Sequence, residues 1–335
     1  MPQLTFFCEL ELEPLQTLFT ESIISDLVEL KASLSLGVLD LSGERAQVVK
    51  RLNQAGVPVI AWLLLPKDHG YWFNLDNAPL AIARYAEFKD WTARHELHWA
   101  GIGLDIEPDI RDMTRFGQRK WRILPSLLGR LVDSNRLKGG KAAYRALVSR
   151  IRSDGYTVDS YQFPVIDDER QMGSTFLQRL GGLVDIPVDK EIWMLYSSYL
   201  RPNGAGFIAS YAPDAQALGL GVTGGGVDVG VVDKNPLSWQ ELARDLRLAW
   251  YWCDDIHIFS LEGCVEQGYL ERLKSFAWDY PVLMPEESLA KVESFRRALR
   301  SGLWFSSHGT AILVASMGIT LLTVGLKRYL SRKVS

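Results

Sequence analysis

Residues 100–108 read Ala-Gly-Ile-Gly-Leu-Asp-Ile-Glu-Pro, and this stretch decides the fold class. Successive side chains of a β-strand point to opposite faces, so Ile102, Leu104 and Ile106 share one face. The small and acidic residues between them share the other. This pattern is typical of a parallel strand whose apolar side is covered by helices. Its acidic side would face the inside of a barrel, with the acids at the carboxyl end of the strand.

Seven further segments of the chain have the character of short, buried strands, and amphipathic stretches separate them. The segments are Thr5–Leu10, Leu34–Leu39, Val57–Leu65, Thr157–Phe163, Glu191–Tyr199, a strand within Leu218–Val231, and Asp255–Leu261. Strands that alternate with helices indicate parallel βαβ units, and eight units in about 280 residues predict a (β/α)8 barrel. A doubly wound open sheet is the alternative, although no G-x-G-x-x-G follows the first strand.

The longest predicted helical region covers residues 114–154. The pair Gly139 and Gly140 follows Lys138, and glycine is unfavourable inside a helix. We therefore expect this region to be broken near residues 138–140.

The C-terminal part of the chain has the composition of a membrane anchor. Residues 301–326 contain no Asp, Glu, Lys or Arg. About 20 helical residues suffice to span the hydrocarbon layer of a bilayer. The sequence therefore predicts a barrel over 1–281, a linker and amphipathic helix over 282–302, a transmembrane helix over 303–326 and a basic tail over 327–335. Basic residues flank both ends of the span, so the positive-inside rule does not decide its orientation.

Charge, cysteines and motifs exclude several function classes. With 37 basic and 40 acidic residues, the chain gives no reason to expect a nucleic-acid partner. The N-terminus lacks the features of a signal peptide, and the three cysteines form no C-x-x-C pair, which favours a cytoplasmic barrel. No Cys/His cluster has metal-ligand spacing, and G-x-S-x-G is absent. We expect neither a metal ion nor another cofactor.

Asp105 and Glu107 are the strongest candidates for catalysis. Both are predicted to point into the barrel, one strand step apart, where like charges raise the pKa of one carboxyl. A carboxylic acid that stays protonated near neutral pH can act as a general acid. The alternatives are a solvated strand end and a pair that Arg or Lys side chains neutralise.

The stretch AGIGLDIE resembles the fourth-strand motif of family 18 glycoside hydrolases, the chitinase-like barrels, which is D-G-x-D-x-D-x-E. Gly101, Asp105 and Glu107 match this motif, whereas Ala100 and Gly103 stand where the family has aspartates. The resemblance implies a glycosidase in which Glu107 is the proton donor. Asp105 would help the substrate's acetamido group to attack the anomeric carbon.

Two later strands supply further candidates. The stretch Met194–Ser197 resembles the family's M-x-Y-D with Ser197 in place of Asp, which implies that Tyr196 hydrogen-bonds the reacting sugar. The eighth strand resembles the last strand of many glycosidase barrels. Its alternation predicts that Glu262 points inward near the mouth, as a second carboxylate, and that His257 faces the helix layer.

Substrate-binding residues are predicted from the ends of other strands. Trp72, in the loop after the third strand, could stack on the apolar face of a sugar, and Tyr161 and Gln162 end the fifth strand. Glu9 and Glu11 follow the first strand; one of them could face the mouth, but we expect a surface position for both.

The predicted function is a membrane-anchored glycoside hydrolase that acts on a glycan or a glycolipid. One alternative is a barrel that binds carbohydrate or scaffolds a partner without catalysis. A second is an unrelated barrel enzyme, such as a lyase, with a phosphate site in the glycine-rich turn at Gly224–Gly226.

Overall fold

A computed structural model describes residues 1–118, 129–227 and 235–308 of the chain. Its eight parallel strands pair in chain order, and the last pairs with the first, so that the sheet closes. The strands are β1 (Gln3–Cys8), β2 (Ser33–Val38), β3 (Val59–Leu63), β4 (Gly101–Asp105), β5 (Val158–Gln162), β6 (Lys190–Leu195), β7 (Ala217–Gly221) and β8 (Asp255–Phe259). The predicted (β/α)8 barrel is confirmed.

Helices surround the barrel. They include α1 (Leu12–Leu18), α2 (Glu21–Glu29), α3 (Gly43–Gln54), α4 (Ala78–His95), α5 (Ile110–Gln118), α6 (Ser134–Ser153), α7 (Val165–Gln171), α8 (Phe176–Gly181), α9 (Gly204–Tyr211), α10 (Trp239–Trp250), α11 (Leu261–Glu266) and α12 (Tyr269–Lys274). A further helix covers residues 286–308 and is called the C-terminal helix below.

Helix α6 continues through the two glycines at which a break was predicted, so that prediction is wrong. The helix begins after Asp133, whose side chain accepts a hydrogen bond from the backbone N–H of Arg136. Gly140 faces Leu75, and a Cβ at Gly140 would lie only 3.3 Å from the Cα of Leu75. The glycine therefore permits close packing on the loop after β3, which offsets its low helix propensity.

The barrel interior is filled mainly by aromatic rings. The ring of Phe7 lies 5.4 Å from that of Trp62, 4.8 Å from that of Tyr161 and 5.9 Å from that of Phe259, measured between centroids. Phe7 and Tyr161 are each 1% exposed. The interior is thus a packed core that closes the barrel below its mouth.

His257 lies inside the barrel, so the prediction that it faces the helix layer is wrong. Its ring is fully buried, 5.6 Å from the ring of Phe7. The error arose because the alternation was carried through to Glu262. Strand β8 ends at Phe259, and Ser260 caps α11 by accepting a hydrogen bond from the N–H of Gly263. The phase of the strand therefore does not extend into the helix.

The C-terminal helix is fastened to the barrel by a buried ion pair. Arg296 is 4% exposed and donates to Oδ1 of Asp168, on α7, over 3.2 Å and 3.1 Å. Its guanidinium also lies 3.8 Å from the ring centroid of Tyr211, on α9. Arg300 donates to the same Asp168 oxygen over 2.6 Å.

Within the described ranges, no helix has both the length and the apolar character needed to cross a bilayer. The predicted span over 303–326 begins in the last residues of the C-terminal helix. From residue 309 onward, the span and the basic tail over 327–335 lie outside the described residues.

Candidate active site

A cavity of about 170 Å³ opens at the carboxyl ends of the strands. Its described lining consists of aromatic and aliphatic side chains, one glycine and three acids: Phe7, Glu9, Trp62, Trp72, Asp105, Glu107, Met113, Tyr161, Phe163, Met194, Tyr196, Tyr199, Val222, Gly226, Val227 and Phe259. Of the predicted site residues, the cavity brings together Asp105, Glu107, Tyr196, Trp72 and Tyr161. It does not include Gln162 or Glu262.

Asp105 is the most deeply buried of the three acids, at 2% exposure. Its Oδ2 accepts a hydrogen bond from Nε1 of Trp62 over 3.1 Å, and its Oδ1 has no hydrogen-bond partner. Burial raises the pKa of Asp105 well above its usual range, and the nearby charges of Glu107 and Glu9 raise it further. The site therefore disfavours a negative charge on Asp105.

Glu107 lies one strand step beyond Asp105, just past the end of β4. Burial and the charge of Glu9 raise the pKa of Glu107 to about 8, against an opposing effect of its contact with Asp105. Among the described residues, no Arg or Lys forms an ion pair with any of these three acids. In the described part of the chain, Asp105 and Glu107 are therefore not neutralised by an Arg or Lys side chain, which was one alternative to a catalytic pair.

The loop after β3 is attached to the end of β4. Phe73 forms a parallel bridge with Ile106, and its carbonyl accepts a hydrogen bond from the N–H of Glu107 over 3.2 Å. The N–H of Phe73 in turn donates to the carbonyl of Asp105 over 2.9 Å. This ladder holds Trp72, which precedes Phe73 and lines the cavity, in a fixed position relative to the two acids.

Glu9 is a site residue that the sequence analysis placed at the surface, and that expectation is wrong. It follows β1 in phase with Phe7, lines the cavity and accepts a hydrogen bond from the hydroxyl of Tyr71. Burial raises the pKa of Glu9 to about 7, although that hydrogen bond lowers it. The signal was present in the sequence, because Phe7 and Glu9 alternate with the apolar Phe6 and Cys8.

Tyr71 reaches Glu9 from an unusual backbone conformation. Its backbone φ angle is +64°, a value that residues other than glycine rarely adopt. Such strain is retained when the surrounding contacts specify it, and it concentrates at functional sites. Here the conformation directs the Tyr71 hydroxyl to the carboxylate of Glu9.

Tyr161 fills the space that opens at Gly103. A Cβ on Gly103 would lie 2.7 Å from Cζ of Tyr161, a distance that real Cβ atoms essentially never show. The Tyr161 hydroxyl crosses the barrel to the hydroxyl of Ser35, 2.5 Å away. An aspartate at position 103, as in the family 18 motif, would need the space that the Tyr161 ring occupies. Gly103 and Tyr161 are therefore sterically linked.

Tyr196 follows β6 and lines the cavity beside Phe259, with ring centroids 5.4 Å apart. Burial raises the pKa of its hydroxyl above the usual range, and the charges of Asp105 and Glu107 raise it further. The next residue, Ser197, points away and donates to the carboxylate of Asp245 on α10.

Gln162 and Glu262 lie outside the cavity. Gln162 sits in β5 next to the inward-facing Tyr161, so alternation turns it to the other face, where its Nε2 donates to Oγ of Ser160 over 2.9 Å. Glu262 belongs to α11, and its Oε1 accepts a hydrogen bond from the N–H of Glu9 over 3.3 Å. A Cβ on Gly225 would lie 2.9 Å from Cγ of Glu262, so the glycine-rich turn rests against this carboxylate.

The site has no described metal centre. Within residues 1–118, 129–227 and 235–308, no group of three or more His, Cys, Asp and Glu side chains could hold a metal ion.

Comparisons with known proteins were made by sequence and by structure. No protein-family model matches the chain, and no curated protein matches it in sequence. Solved structures that resemble it include a GH18 chitinase from Pseudoalteromonas aurantia, with 13% identity, a TM-score of 0.47, and coverage of 82% of this chain and 100% of that one.

Two further structural neighbours are also glycoside hydrolases with TIM barrels. The PgaB (BpsB) glycoside hydrolase domain from Bordetella bronchiseptica has 10% identity, a TM-score of 0.49, and coverage of 82% of this chain and 98% of that one. The catalytic domain of β-amylase from Paenibacillus polymyxa has 8% identity, a TM-score of 0.47, and coverage of 82% and 97%. At these identities the likeness concerns the fold alone.

Proposed function

We propose that this protein is a glycoside hydrolase in which Glu107 is the general acid. The observation that carries the proposal is the inward pair Asp105 and Glu107, which no described cation neutralises, at the floor of an aromatic cavity. Burying two carboxyls without a counter-charge is costly, and such cost is typical of catalytic sites.

Glu107 is suited to donate a proton near neutral pH. With a pKa of about 8, most Glu107 side chains are protonated at pH 7. In the proposed step, the Glu107 proton passes to the glycosidic oxygen as the bond from that oxygen to the anomeric carbon breaks. The leaving group departs as a neutral alcohol, and positive charge develops on the sugar ring. That developing positive charge favours ionisation of the buried Asp105 carboxyl, which in its ionised form would stabilise the charge.

We assign the second carboxylate to Glu9 instead of Glu262. Glu9 lines the same cavity as Glu107, on a strand that is not adjacent to β4, and its charge is close enough to raise the pKa of Glu107. A second carboxylate either attacks the anomeric carbon or activates a water molecule. The hydroxyl of Tyr71 would keep Glu9 oriented for that role.

The aromatic side chains that line the cavity support the choice of a carbohydrate as substrate. Trp72 and Tyr196 line the cavity, and aromatic faces pack well against apolar surfaces such as those of pyranose rings. A carbohydrate-binding barrel without catalysis is the second candidate. It is favoured by Gly103 and Ser197, which replace acids of the resembling motif, and by the Tyr161 ring at Gly103.

The test is turnover of a panel of fluorogenic glycosides by the full chain, beside Glu107→Gln. The matched control is Glu44→Gln, an exposed residue of α3 with the same charge change. We expect Glu107→Gln to lose about 10²–10⁴-fold in rate, and the control to keep the wild-type rate. Sugar binding without turnover in all three proteins would favour the second candidate. Undiminished turnover by Glu107→Gln would refute the assignment of the acid.

We further propose that residues 303–326 anchor the barrel to a membrane, with the barrel in the cytoplasm and a nearby glycan or glycolipid as substrate. The apolar composition of this segment supports the proposal. The test is alkaline carbonate extraction of membranes from cells that express either the full chain or a chain ending at residue 308. We expect the full chain to stay with the membranes and the shorter chain to be released. Release of both would contradict the anchor.

A further inference from the structure

The described lining of the cavity carries negative groups and no positive one. Glu9, Asp105 and Glu107 line it, and no Lys, Arg or His does. Lys67, on the loop that precedes Tyr71, lies outside the lining, with its Nζ 6.0 Å from the Tyr71 ring centroid. When these acids ionise, no described residue of the lining balances their charge, and a positively charged ligand would do so.

One acid presents a buried oxygen that no positively charged protein group contacts. Asp105 is 98% buried, its Oδ2 is bound by Trp62, and its Oδ1 receives no hydrogen bond from a described N–H or hydroxyl group, while its other close contact is the carboxyl of Glu107. A buried carboxylate oxygen without a partner is costly, and a positively charged donor in the cavity would satisfy it. Trp62 and Tyr196 also line the cavity.

Aromatic walls reinforce the preference for positive charge. The ring faces of Trp and Tyr carry negative electrostatic potential and attract a cation within about 6 Å of the ring centroid. Ring contacts fix Trp62 against Phe259, 6.2 Å between centroids, and Phe259 against Tyr196, 5.4 Å. These rings are held in place before any ligand enters, so little side-chain entropy is lost on binding.

We propose that the cavity selects glycans whose reacting sugar carries a free, protonated amine over neutral and anionic ones. That the ligand is a sugar rests on the proposed function. That the sugar carries a positive charge rests on the three acids and the aromatic walls of the cavity. A carboxylated or phosphorylated sugar would be repelled by Glu9, Asp105 and Glu107. An acetylated nitrogen would lose the charge that these acids attract.

The raised pKa values of the three acids agree with this selection. The charge of Glu9 raises the pKa of both Asp105 and Glu107, so the acids of the cavity repel each other when they ionise. An ammonium group among them would relieve that repulsion and favour their ionised forms.

The experiment is calorimetric binding to the full chain carrying Glu107→Gln, which prevents the proposed turnover. The probes are a glucosamine tetrasaccharide, its fully N-acetylated form, and a glucose tetrasaccharide. Two further chains add Glu9→Gln, or Glu11→Gln as the matched control, since Glu11 is exposed and lies outside the cavity. Asp105→Asn is a second test variant that removes the same charge from another position.

We expect the amine-bearing probe to bind at least about tenfold tighter than either neutral probe. Glu9→Gln and Asp105→Asn should each reduce that preference several-fold, and Glu11→Gln should leave it unchanged. Equal or tighter binding of a neutral probe would overturn the inference, as would a preference that survives both test variants.

The two proposals can fail separately. Turnover of neutral glycosides that Glu107→Gln abolishes, without any preference for the amine, would overturn the charge selection and leave the hydrolase standing. A preference for the amine without turnover of any glycoside by the wild-type chain would support the charge selection and refute the hydrolase.

Discussion

Replacing Glu107 by Gln should stabilise the protein at pH 9 and change its stability little at pH 5. The pKa of Glu107 rises from 4.5 to about 8 in the folded state. Between these two values the folded state holds a proton that the unfolded state has released. The free energy of unfolding therefore falls as pH rises through this window, and the full loss is present above pH 8. Gln carries no ionisable group and escapes the loss.

The size of the effect follows from the shift of the Glu107 pKa. One pKa unit corresponds to about 1.4 kcal/mol, so a shift from 4.5 to about 8 sets an upper limit of roughly 5 kcal/mol. Glu107 is half-buried, and solvent and its contact with Asp105 reduce this value. We expect Glu107→Gln to gain about 2 kcal/mol or more at pH 9.

The assay is urea-induced unfolding of the full chain in a mild detergent at pH 5, 7 and 9, for wild type, Glu107→Gln and the exposed control Glu44→Gln. The difference between Glu107→Gln and wild type should grow with pH, while that between the control and wild type should stay flat. A difference that is independent of pH would refute the reasoning, because Glu107 would then have an ordinary pKa. A gain at pH 5 that disappears at pH 9 would contradict its sign.

Three further changes test the packing of the site and of the C-terminal helix. Gly103→Asp should cost about 3 kcal/mol or more in thermal unfolding, and adding Tyr161→Ala should recover part of that loss if the two share one volume. Arg296→Ala should cost about 3–5 kcal/mol by leaving Asp168 buried without its partner, and a loss below about 1 kcal/mol would contradict a buried ion pair. Trp62→Phe removes the hydrogen bond that lowers the pKa of Asp105, so Asp105 should ionise at a higher pH and the acidic limb of the pH–rate profile should move up with it. An unmoved limb would count against that bond.

The fold was predictable because every strand is short, buried and bounded by turns. Alternation in residues 100–108 predicted which side chains of β4 face the axis, and Asp105 and Glu107 do line the cavity. The two glycines inside α6 led to the wrong prediction of a helix break. Gly140 allows close packing against Leu75 and does not end the helix. A packing partner that is distant in sequence is invisible to local propensity.

The candidate site was predictable only where the alternation of side chains along a strand was applied within the true ends of that strand. Glu9 was misplaced because a surface position was preferred over the inward position that alternation with Phe7 indicates, and Glu262 because alternation was applied beyond the end of β8. Gln162 was grouped with Tyr161, although neighbours in a strand face opposite sides. The volume shared by Gly103 and Tyr161 could not be read from the sequence, because it depends on two strands being adjacent.

The C-terminal helix has a mechanical consequence for the whole molecule. Arg296 and Arg300 both donate hydrogen bonds to Asp168, and the guanidinium of Arg296 packs on the ring of Tyr211. A hinge needs exposed, loosely bonded backbone, and this junction has neither property. Up to residue 308, the C-terminal helix and the barrel therefore move as one body. The direction in which the cavity opens relative to this helix is set when the chain folds.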